Sequence, residues 1–225
     1  YITSRLTAPG VVENFARNQK LYFGRISGGH STGETAPGAS QAADFHDPAD
    51  SAASTASPTD TPDLHARLDQ LQSLFRDAGI DAHHAPDIAH VIWRKYLFIS
   101  SMATATSYFD CPAGELAAPG ERHEAWRALY REVRALAAAK GVVFDAQVAA
   151  GSEDVEDATV RFLRALPPDT TSSMHSDFLA GKPRAEVDTL SSYVLRESRR
   201  AGLSAPTYER MVPVLERRIA SAGSE

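Results

Sequence analysis

The sequence predicts a mainly α-helical protein that opens on a few short strands. Residues 86–109 are mostly apolar or small and contain one pair of cationic residues. The length of this stretch favours a single long helix. Most of the chain after it repeats apolar residues at helical spacing between glycine and proline stops. The strands predicted before residue 27 are too few and too short to form a stable sheet alone. We therefore expect a helical core, with the strands joining a sheet that the chain does not obviously supply.

Composition and charge exclude several classes of function. Of the 225 residues, 43% are hydrophobic and 23% are charged, which is typical of a soluble globular protein. The net charge is −6 and no block is rich in lysine and arginine, so we expect no nucleic-acid partner. The single cysteine excludes an internal disulfide and fits a reducing compartment, so we expect a cytoplasmic protein. No signal peptide or membrane span is recognisable, and the chain begins with Tyr1, which indicates the later part of a longer protein.

Three short strands and a segment of unusual composition make up the first 61 residues. Strand-like patterns cover residues 1–7, 11–12 and 20–26. Residues 27–61 then contain no Leu, Ile, Val, Met, Lys or Arg, and Phe45 is their only aromatic residue. Such a segment cannot bury enough apolar surface to offset the entropy of ordering it. We expect residues 27–61 to be a disordered insertion.

A helix and a short extended piece lead to the long helix. Thr61 and Pro62 form a helix-start pattern, and Gly79 predicts the stop. The apolar residues between them fall at helical spacing: Leu64, Leu68, Leu71, Phe75 and Ala78. Residues 80–84 are predicted to be extended.

The long helix predicted over residues 86–109 carries a lysine, Lys95, among apolar residues. Its apolar residues cover nearly the whole circumference, which predicts burial in protein. The Arg94–Lys95 pair and the Ser/Thr-rich second half argue against a membrane span. A buried, unpaired ammonium group is expensive, so Lys95 must reach a wet cleft, a carboxylate or a ligand.

The rest of the chain predicts a helical domain. Glu121 to Lys140 forms an amphipathic pattern that ends at Gly141. Further helices are predicted over 152–166, 171–179, 185–201 and 206–220. On the first of these, Val155, Thr159, Phe162 and Leu166 are expected to line the buried side.

Neither a histidine-rich segment nor the single cysteine is expected to form a metal or catalytic site. The side chains of His83, His84, Asp87 and His90 fit no zinc spacing, so we expect a solvated loop–helix junction and no metal. Cys111 stands beside Pro112 with no identifiable base, so a role as nucleophile is not expected.

Four motifs in order resemble the C-terminal half of the 2-dehydropantoate 2-reductase (ketopantoate reductase) family. They are Trp93-Arg94-Lys95, the Cys-Pro-Ala-Gly-Glu-Leu run of 111–116, the Ser-Ser-Met-His-Ser-Asp run of 172–177, and Glu186-Val187-Asp188. The resemblance implies an NADPH-binding Rossmann domain followed by an all-helical domain of the 6-phosphogluconate-dehydrogenase C-terminal type. Residues 1–84 would be the last strands and helix of an incomplete Rossmann domain, and residues 85–225 the helical substrate domain. No G-x-G-x-x-G motif is present to cradle phosphates.

The resemblance also implies an activity and a site. The activity is the NADPH-dependent reduction of 2-dehydropantoate, a small 2-oxo acid, to pantoate in pantothenate and coenzyme A biosynthesis. Lys95 would give the proton and touch substrate, Ser173 would bind substrate, and Glu186 would lie near the cofactor ribose. From the residues alone, Lys95 could equally extend its ammonium into water. Ser173 and Glu186 could likewise be ordinary first-turn residues of helices.

Several positions depart from the family pattern. The family has asparagines where this chain has Ile99, Ala103 and Ala113, and an Asn-Gly where it has Ser191-Ser192. A site without those amides should bind a polar substrate poorly. The enzyme would then use a more apolar oxo acid or have lost its activity. The alternative is a non-catalytic helical module for partner binding or dimerisation, and a homodimer is left open.

Overall fold

The computed structural model describes residues 4–8, 11–14, 20–25, 60–144, 154–182 and 186–222. The insertion predicted at 27–61 lies outside these ranges, except that its last two residues are helical. Among the described residues, those up to Val91 form one compact unit and those from Ile92 onward form another. The boundary falls inside a long helix. Each unit is described by itself below.

The first unit contains two pairs of short strands and one helix. Strands β1 and β2 form an antiparallel pair, and β3 runs parallel to β4 with helix α1 between them in the sequence. This β–α–β order is typical of α/β domains. The elements are β1 (Ser4–Ala8), β2 (Val11–Asn14), β3 (Lys20–Phe23), α1 (Asp60–Asp77) and β4 (Asp81–His84). The predicted strands, helix and extended piece are all confirmed.

Two glycines lie in the connections between the elements of this β–α–β segment. Gly79 has a φ of 80° and ends α1, as the sequence predicted, while the amide of Ile80 donates to the carbonyl of Phe75 at 2.9 Å. Gly24 follows β3, and a Cβ there would lie 2.2 Å from the carbonyl oxygen of Ala85. Only glycine permits this close approach of the two backbones.

Helices dominate the second unit, which confirms the mainly α fold. They are α2 (Ile88–Phe109, whose first turn belongs to the first unit), α3 (Ala113–Ala117), α4 (Glu121–Ala139), α5 (Val155–Ala165), α6 (Ser173–Leu179), a π-helix (Asp188–Ser192), α7 (Tyr193–Arg200) and α8 (Pro206–Ala222). The single helix predicted over 185–201 is wrong in one respect, since residues 188–192 near its start are π-helical. The part of the chain that the structure describes holds no helix with both the length and the apolarity to cross a membrane.

Helix α4 supplies much of the core. Trp126, Leu129, Tyr130, Val133 and Leu136 are all fully buried, as the amphipathic pattern predicted. Each large apolar side chain removed from water contributes on the order of 1.5–3 kcal/mol before the entropy of ordering is subtracted. Helix α4 is therefore a main source of stability in the second unit.

The predicted buried side of α5 is partly wrong. Phe162 is 52% exposed and lies edge-to-face on Phe98, with ring centroids 5.1 Å apart, whereas Leu163 is 1% exposed. The reason is that Glu156 near the start of α5 is also buried. It accepts hydrogen bonds from Arg127 and Arg131 at 2.7 and 3.0 Å. Ionic contacts to α4 thus rotate the helix away from the orientation that apolar spacing alone favours.

A second buried carboxylate and a helix cap connect α4 with α7 and α8. Glu197 on α7 accepts hydrogen bonds from Lys140 at 2.6 Å and Arg200 at 2.8 Å. Both oxygens of Glu132 on α4 accept backbone amides at the start of α8, at 2.9 and 3.1 Å. Those amides would otherwise lack partners, because the first turn of a helix offers none.

The stability of the fold should fall in acid because of these carboxylates. Burial alone would raise the pKa of Glu156, but hydrogen bonds from Arg131 and Arg127 outweigh it and lower that pKa. The pKa of Glu197 is lowered in the same way by Lys140 and Arg200. A carboxylate with a lower pKa in the folded state adds stability above its ordinary pKa of 4.5, and this is lost as pH falls toward the folded-state pKa.

Urea unfolding followed by circular dichroism from pH 7 to pH 3 measures this effect. We expect the urea midpoint to fall mainly below pH 4.5 and Glu156→Gln to flatten that fall. Replacement of the exposed Glu121 by Gln should leave the slope unchanged. Equal slopes in the native protein and in Glu156→Gln would contradict the assignment.

Candidate active site

Two of the three predicted site residues touch each other. Ser173 begins helix α6, and Glu186 lies just before the π-helix. The hydroxyl of Ser173 donates to a carboxylate oxygen of Glu186 at 2.9 Å, across a separation of 13 residues. Both side chains are exposed. The pair can therefore offer a hydroxyl and a carboxylate to a bound molecule.

Helix α6 is held at the end of α2 by side-chain contacts. The Ser172 hydroxyl caps α6 by accepting the amide of His175 at 3.0 Å and also bonds the hydroxyl of Thr106 at 2.8 Å. His175 is buried and contacts Asp110 at 2.8 Å and Thr171 at 2.5 Å through its two ring nitrogens. These contacts hold Ser173 in place relative to α2.

The Cys-Pro-Ala-Gly-Glu-Leu run supports α6 through its backbone. The amides of Ala113 and Gly114 donate to the carbonyls of Thr170 and Pro168 at 2.8 and 2.9 Å. A Cβ on Gly114 would lie 2.8 Å from the Pro168 carbonyl oxygen. The glycine of this motif is thus required by the close approach of the segment that precedes Ser173.

Lys95, the third predicted residue, is exposed on α2. Its exposure is compatible with the wet surroundings that the sequence analysis requires for an ammonium group on an apolar helix. Ile92, one turn earlier on the same side, is also 41% exposed. The described residues therefore leave this side of α2 open.

Neighbouring residues link the helix that carries Lys95 to the segment that carries Glu186. The Tyr96 hydroxyl donates to the carbonyl oxygen of Thr189 at 2.7 Å. The Thr189 hydroxyl in turn donates to the carbonyl oxygen of Glu186 at 3.2 Å. Tyr96 was not among the residues that the sequence predicted to matter for the site. The signal was available, because Tyr96, Ser100 and Thr104 recur at four-residue spacing along one stripe of α2.

The positions that depart from the family pattern differ in their surroundings. Ala103 is 2% exposed and belongs to a core cluster with Met174, Val187 and Leu215. Ala113 is also fully buried, whereas Ile99 is only half-buried. Of these three positions, Ile99 alone reaches a surface on which a side chain could meet a ligand.

The histidine-rich junction forms separate pairs. His83 lies 2.7 Å from Asp81, His84 lies 2.7 Å from Asp69, and His90 lies 2.7 Å from Asp87. Asp87 also caps α2 by accepting the amide of His90 at 3.1 Å. Within the described ranges, no three His, Cys, Asp or Glu side chains are grouped so that they could hold a metal ion.

Cys111 is fully buried. Burial raises the pKa of its thiol, although a hydrogen bond and the charge of Arg122 act in the opposite direction. Only the thiolate reacts readily, so the native thiol should react with Ellman's reagent at least about 100-fold more slowly than in urea. A Cys111→Ala, Ser173→Cys variant gives the matched exposed thiol and should react at once. Rapid labelling of native Cys111 would contradict its burial.

Comparison with known families identifies the helical part of the chain. A sequence model described as "Ketopantoate reductase PanE/ApbA C terminal" matches residues 87–218, more than half of the chain. This range contains all three predicted site residues. It also covers the helices of the second unit except for the last residues of α8.

Curated relatives are longer than this chain. A 2-dehydropantoate 2-reductase from Mycobacterium tuberculosis is 31% identical over 150 residues, which cover 65% of this chain and 46% of the relative. Another from Caulobacter vibrioides is 27% identical over 143 residues, which cover 64% of this chain and 46% of the relative. The chain spans about half the length of the curated relatives that it matches.

Solved structures agree on the fold. A PanE/ApbA family ketopantoate reductase from Ralstonia eutropha JMP134 has a TM-score of 0.70 at 18% identity, over 99% of this chain and 58% of the other. A dimeric ketopantoate reductase from Staphylococcus aureus has a TM-score of 0.68 at 19% identity, over 99% and 61%. A 2-dehydropantoate 2-reductase from Porphyromonas gingivalis W83 has a TM-score of 0.56 at 26% identity, over 96% and 53%. The chain belongs to the ketopantoate reductase family and carries that family's C-terminal domain.

Proposed function

We propose that the chain is the substrate-binding part of an NADPH-dependent oxidoreductase that reduces the carbonyl group of a 2-oxo acid. Residues 1–84 would be the end of its dinucleotide-binding domain and residues 85–225 its helical substrate domain, acting in the cytoplasm. The observation that carries the proposal is the hydrogen bond between Ser173 and Glu186. It brings together two residues that the family resemblance assigns to substrate and cofactor.

The residues present fit part of a nicotinamide cofactor. The exposed Glu186 carboxylate can accept hydrogen bonds from ribose hydroxyls, as acidic residues do in dinucleotide sites. The sequence has no G-x-G-x-x-G motif to cradle the phosphates, so most of the cofactor is proposed to be held by a part of the protein outside this sequence. When bound, NADPH supplies the hydride that reduces the carbonyl carbon.

The chain's own residues have separate roles in this reaction. The Ser173 hydroxyl can turn from Glu186 to hydrogen-bond the oxo acid, because both side chains are exposed. The Lys95 ammonium would donate a proton to the carbonyl oxygen as negative charge develops there. Its exposure on α2 keeps it accessible to a ligand.

The substrate is proposed to be more apolar than ketopantoate. Ile99 lies one turn after Lys95 and presents an alkyl group where the family has an amide. Ala103 and Ala113 are buried, so neither can contact a substrate. A polar substrate would lose hydrogen bonds at this surface, and an alkyl side chain would not.

A non-catalytic module for partner binding or dimerisation is the second candidate. The lack of a phosphate-binding loop in the sequence and the apolar Ile99 favour it. Fluorescence titration with NADPH separates the two candidates, applied to this chain and to the protein extended by its upstream coding sequence. Binding by the extended protein alone supports the oxidoreductase. Binding by neither would overturn it.

Lys95→Ala in the extended protein tests the proton donor. We expect kcat for 2-oxo acid reduction to fall about 100-fold or more, since a positioned acid contributes roughly that factor. Arg94 is the matched control, because it is the adjacent exposed cation on α2, and Arg94→Ala should change kcat less than about threefold. Equal effects of the two substitutions would remove Lys95 from the mechanism.

Ile99→Asn tests the substrate preference. The new amide can hydrogen-bond a polar oxo acid, so kcat/KM for ketopantoate should rise about tenfold relative to that for a 2-oxo acid with a branched alkyl side chain. Ile92→Asn, at another partly exposed isoleucine of α2, should leave the ratio unchanged. A ratio unaffected by Ile99→Asn would show that this position does not select the substrate.

A further inference from the structure

Hydroxyl groups on one stripe of α2 meet consecutive residues of the π-helix. The Tyr96 hydroxyl donates to the carbonyl oxygen of Thr189 at 2.7 Å, and the Ser100 hydroxyl donates to that of Leu190 at 2.5 Å. The next hydroxyl along the stripe, on Thr104, lies 2.7 Å from that of Ser191. We call Tyr96, Ser100 and Thr104 the hydroxyl ladder.

The π-helix changes the backbone bonding at the first contact of the ladder. In a regular α-helix the carbonyl of Thr189 would accept the amide of Tyr193, four residues later. Here the amide of Tyr193 donates instead to the carbonyl of Asp188, five residues earlier. The Thr189 carbonyl does not receive that amide and accepts the hydroxyl of Tyr96. Such π-helical turns often occur at functional sites.

The ladder sits in the core and is itself supported. Ser100, Thr104 and Ser191 are fully buried, and Ser100 also bonds the buried hydroxyl of Tyr208 on α8 at 2.7 Å. Burial raises the pKa of Tyr96 well above its ordinary value, so its hydroxyl keeps the proton that it donates. A buried carbonyl without a donor is costly, so a slip by one residue would be penalised at the Tyr96 and Ser100 steps of the ladder.

The Tyr96 end of the ladder lies next to residues of the proposed site. Lys95 directly precedes Tyr96 in the sequence. Glu186 lies three residues before Thr189, whose hydroxyl donates to its carbonyl oxygen at 3.2 Å. Glu186 in turn accepts the hydroxyl of Ser173. One chain of contacts therefore runs from the helix of Lys95 to the Ser173–Glu186 pair.

We propose that the hydroxyl ladder positions the site by locking the register of the π-helix on α2, which holds Glu186 and Ser173 at a set place relative to Lys95. The proposal rests on the proposed function for its catalytic consequence. Misplacement of a reacting group by about 1 Å can cost on the order of 100-fold in rate. Loss of one ladder hydroxyl should therefore lower turnover without any loss of a group that touches substrate.

Tyr96→Phe is the test, because it removes the hydroxyl and keeps the ring. The matched control is Tyr130→Phe on α4, which also removes a tyrosine hydroxyl with a backbone partner, the carbonyl of Val155 at 3.3 Å. Tyr130 is fully buried and contacts none of the site residues in the described structure. A purely structural role of Tyr96 predicts similar losses in both variants.

The first arm measures steady-state kinetics in the extended protein. For Tyr96→Phe we expect kcat to fall about 10- to 100-fold and KM for NADPH to rise, because the misplaced Glu186 is the residue proposed to bind the cofactor ribose. Tyr130→Phe should leave kcat within about twofold. At the next position of the ladder, Thr104→Val should behave like Tyr96→Phe, whereas Thr104→Ser keeps the hydroxyl and should retain activity. Equal kcat in Tyr96→Phe and Tyr130→Phe would overturn the proposal.

The second arm needs no activity and uses this chain as it is. Hydrogen exchange read by mass spectrometry should show the amides of residues 186–192 exchanging at least about tenfold faster in Tyr96→Phe than in the native chain or in Tyr130→Phe. Unchanged exchange there would overturn the ladder as a positioning device. If the native extended protein reduces no 2-oxo acid, the proposed function fails, and faster exchange in Tyr96→Phe would still support the ladder's hold on Glu186.

Discussion

The constraint on which the second unit depends is that polar groups carried into its core need partners there. Among the described residues of this unit, Ser107 Oγ, Trp126 Nε1 and Ser198 Oγ are the buried side-chain atoms that have no hydrogen bond. Helix α2 brings a run of serines and threonines into the interior, and an unsatisfied buried hydroxyl or carbonyl costs more than a hydrogen bond returns. Some hydroxyls turn back onto the helix itself, as Ser101 does to Leu97 and Thr106 does to Met102, at 2.7 and 2.8 Å. Others reach other segments, and these contacts determine where α6 and the π-helix lie.

The exposed site residues are thus held in place by neighbours that are buried or hydrogen-bonded. Ser173 is exposed, but the residues on either side of it are tied down. Ser172 bonds to α2, and Met174 is fully buried in the cluster that contains Ala103. Glu186 is likewise followed at once by the buried Val187 of that cluster. A site of this kind keeps its geometry because rigid packing, and not the site groups themselves, determines it.

Charge plays a different part in this unit, joining helices around the core. Glu156, Glu197 and Glu132 each bridge elements that are distant in sequence. Cationic partners replace the water that Glu156 and Glu197 lose on burial, and Glu132 accepts helix amides. None of these three carries a proposed catalytic role. The charged residues that form the framework and those of the proposed site are therefore separate sets.

The sequence by itself determined the mainly helical fold, the bounds of α4 and the strands to within a few residues, and the family. These follow from local rules, namely apolar spacing, helix stops such as Gly79 and Gly141, and motifs such as the run of 111–116. Sequence reasoning also selected Ser173 and Glu186 through the resemblance, without showing that they touch.

Only the tertiary structure decided which polar groups meet. The π-helix at Asp188–Ser192 and the exposure of Phe162 each contradict an expectation drawn from periodicity. The physical reason is common to both. Periodicity reports which residues could be buried, whereas burial and hydrogen bonding depend on partners that lie far away in the sequence, such as Tyr96 for Thr189 and Arg127 for Glu156.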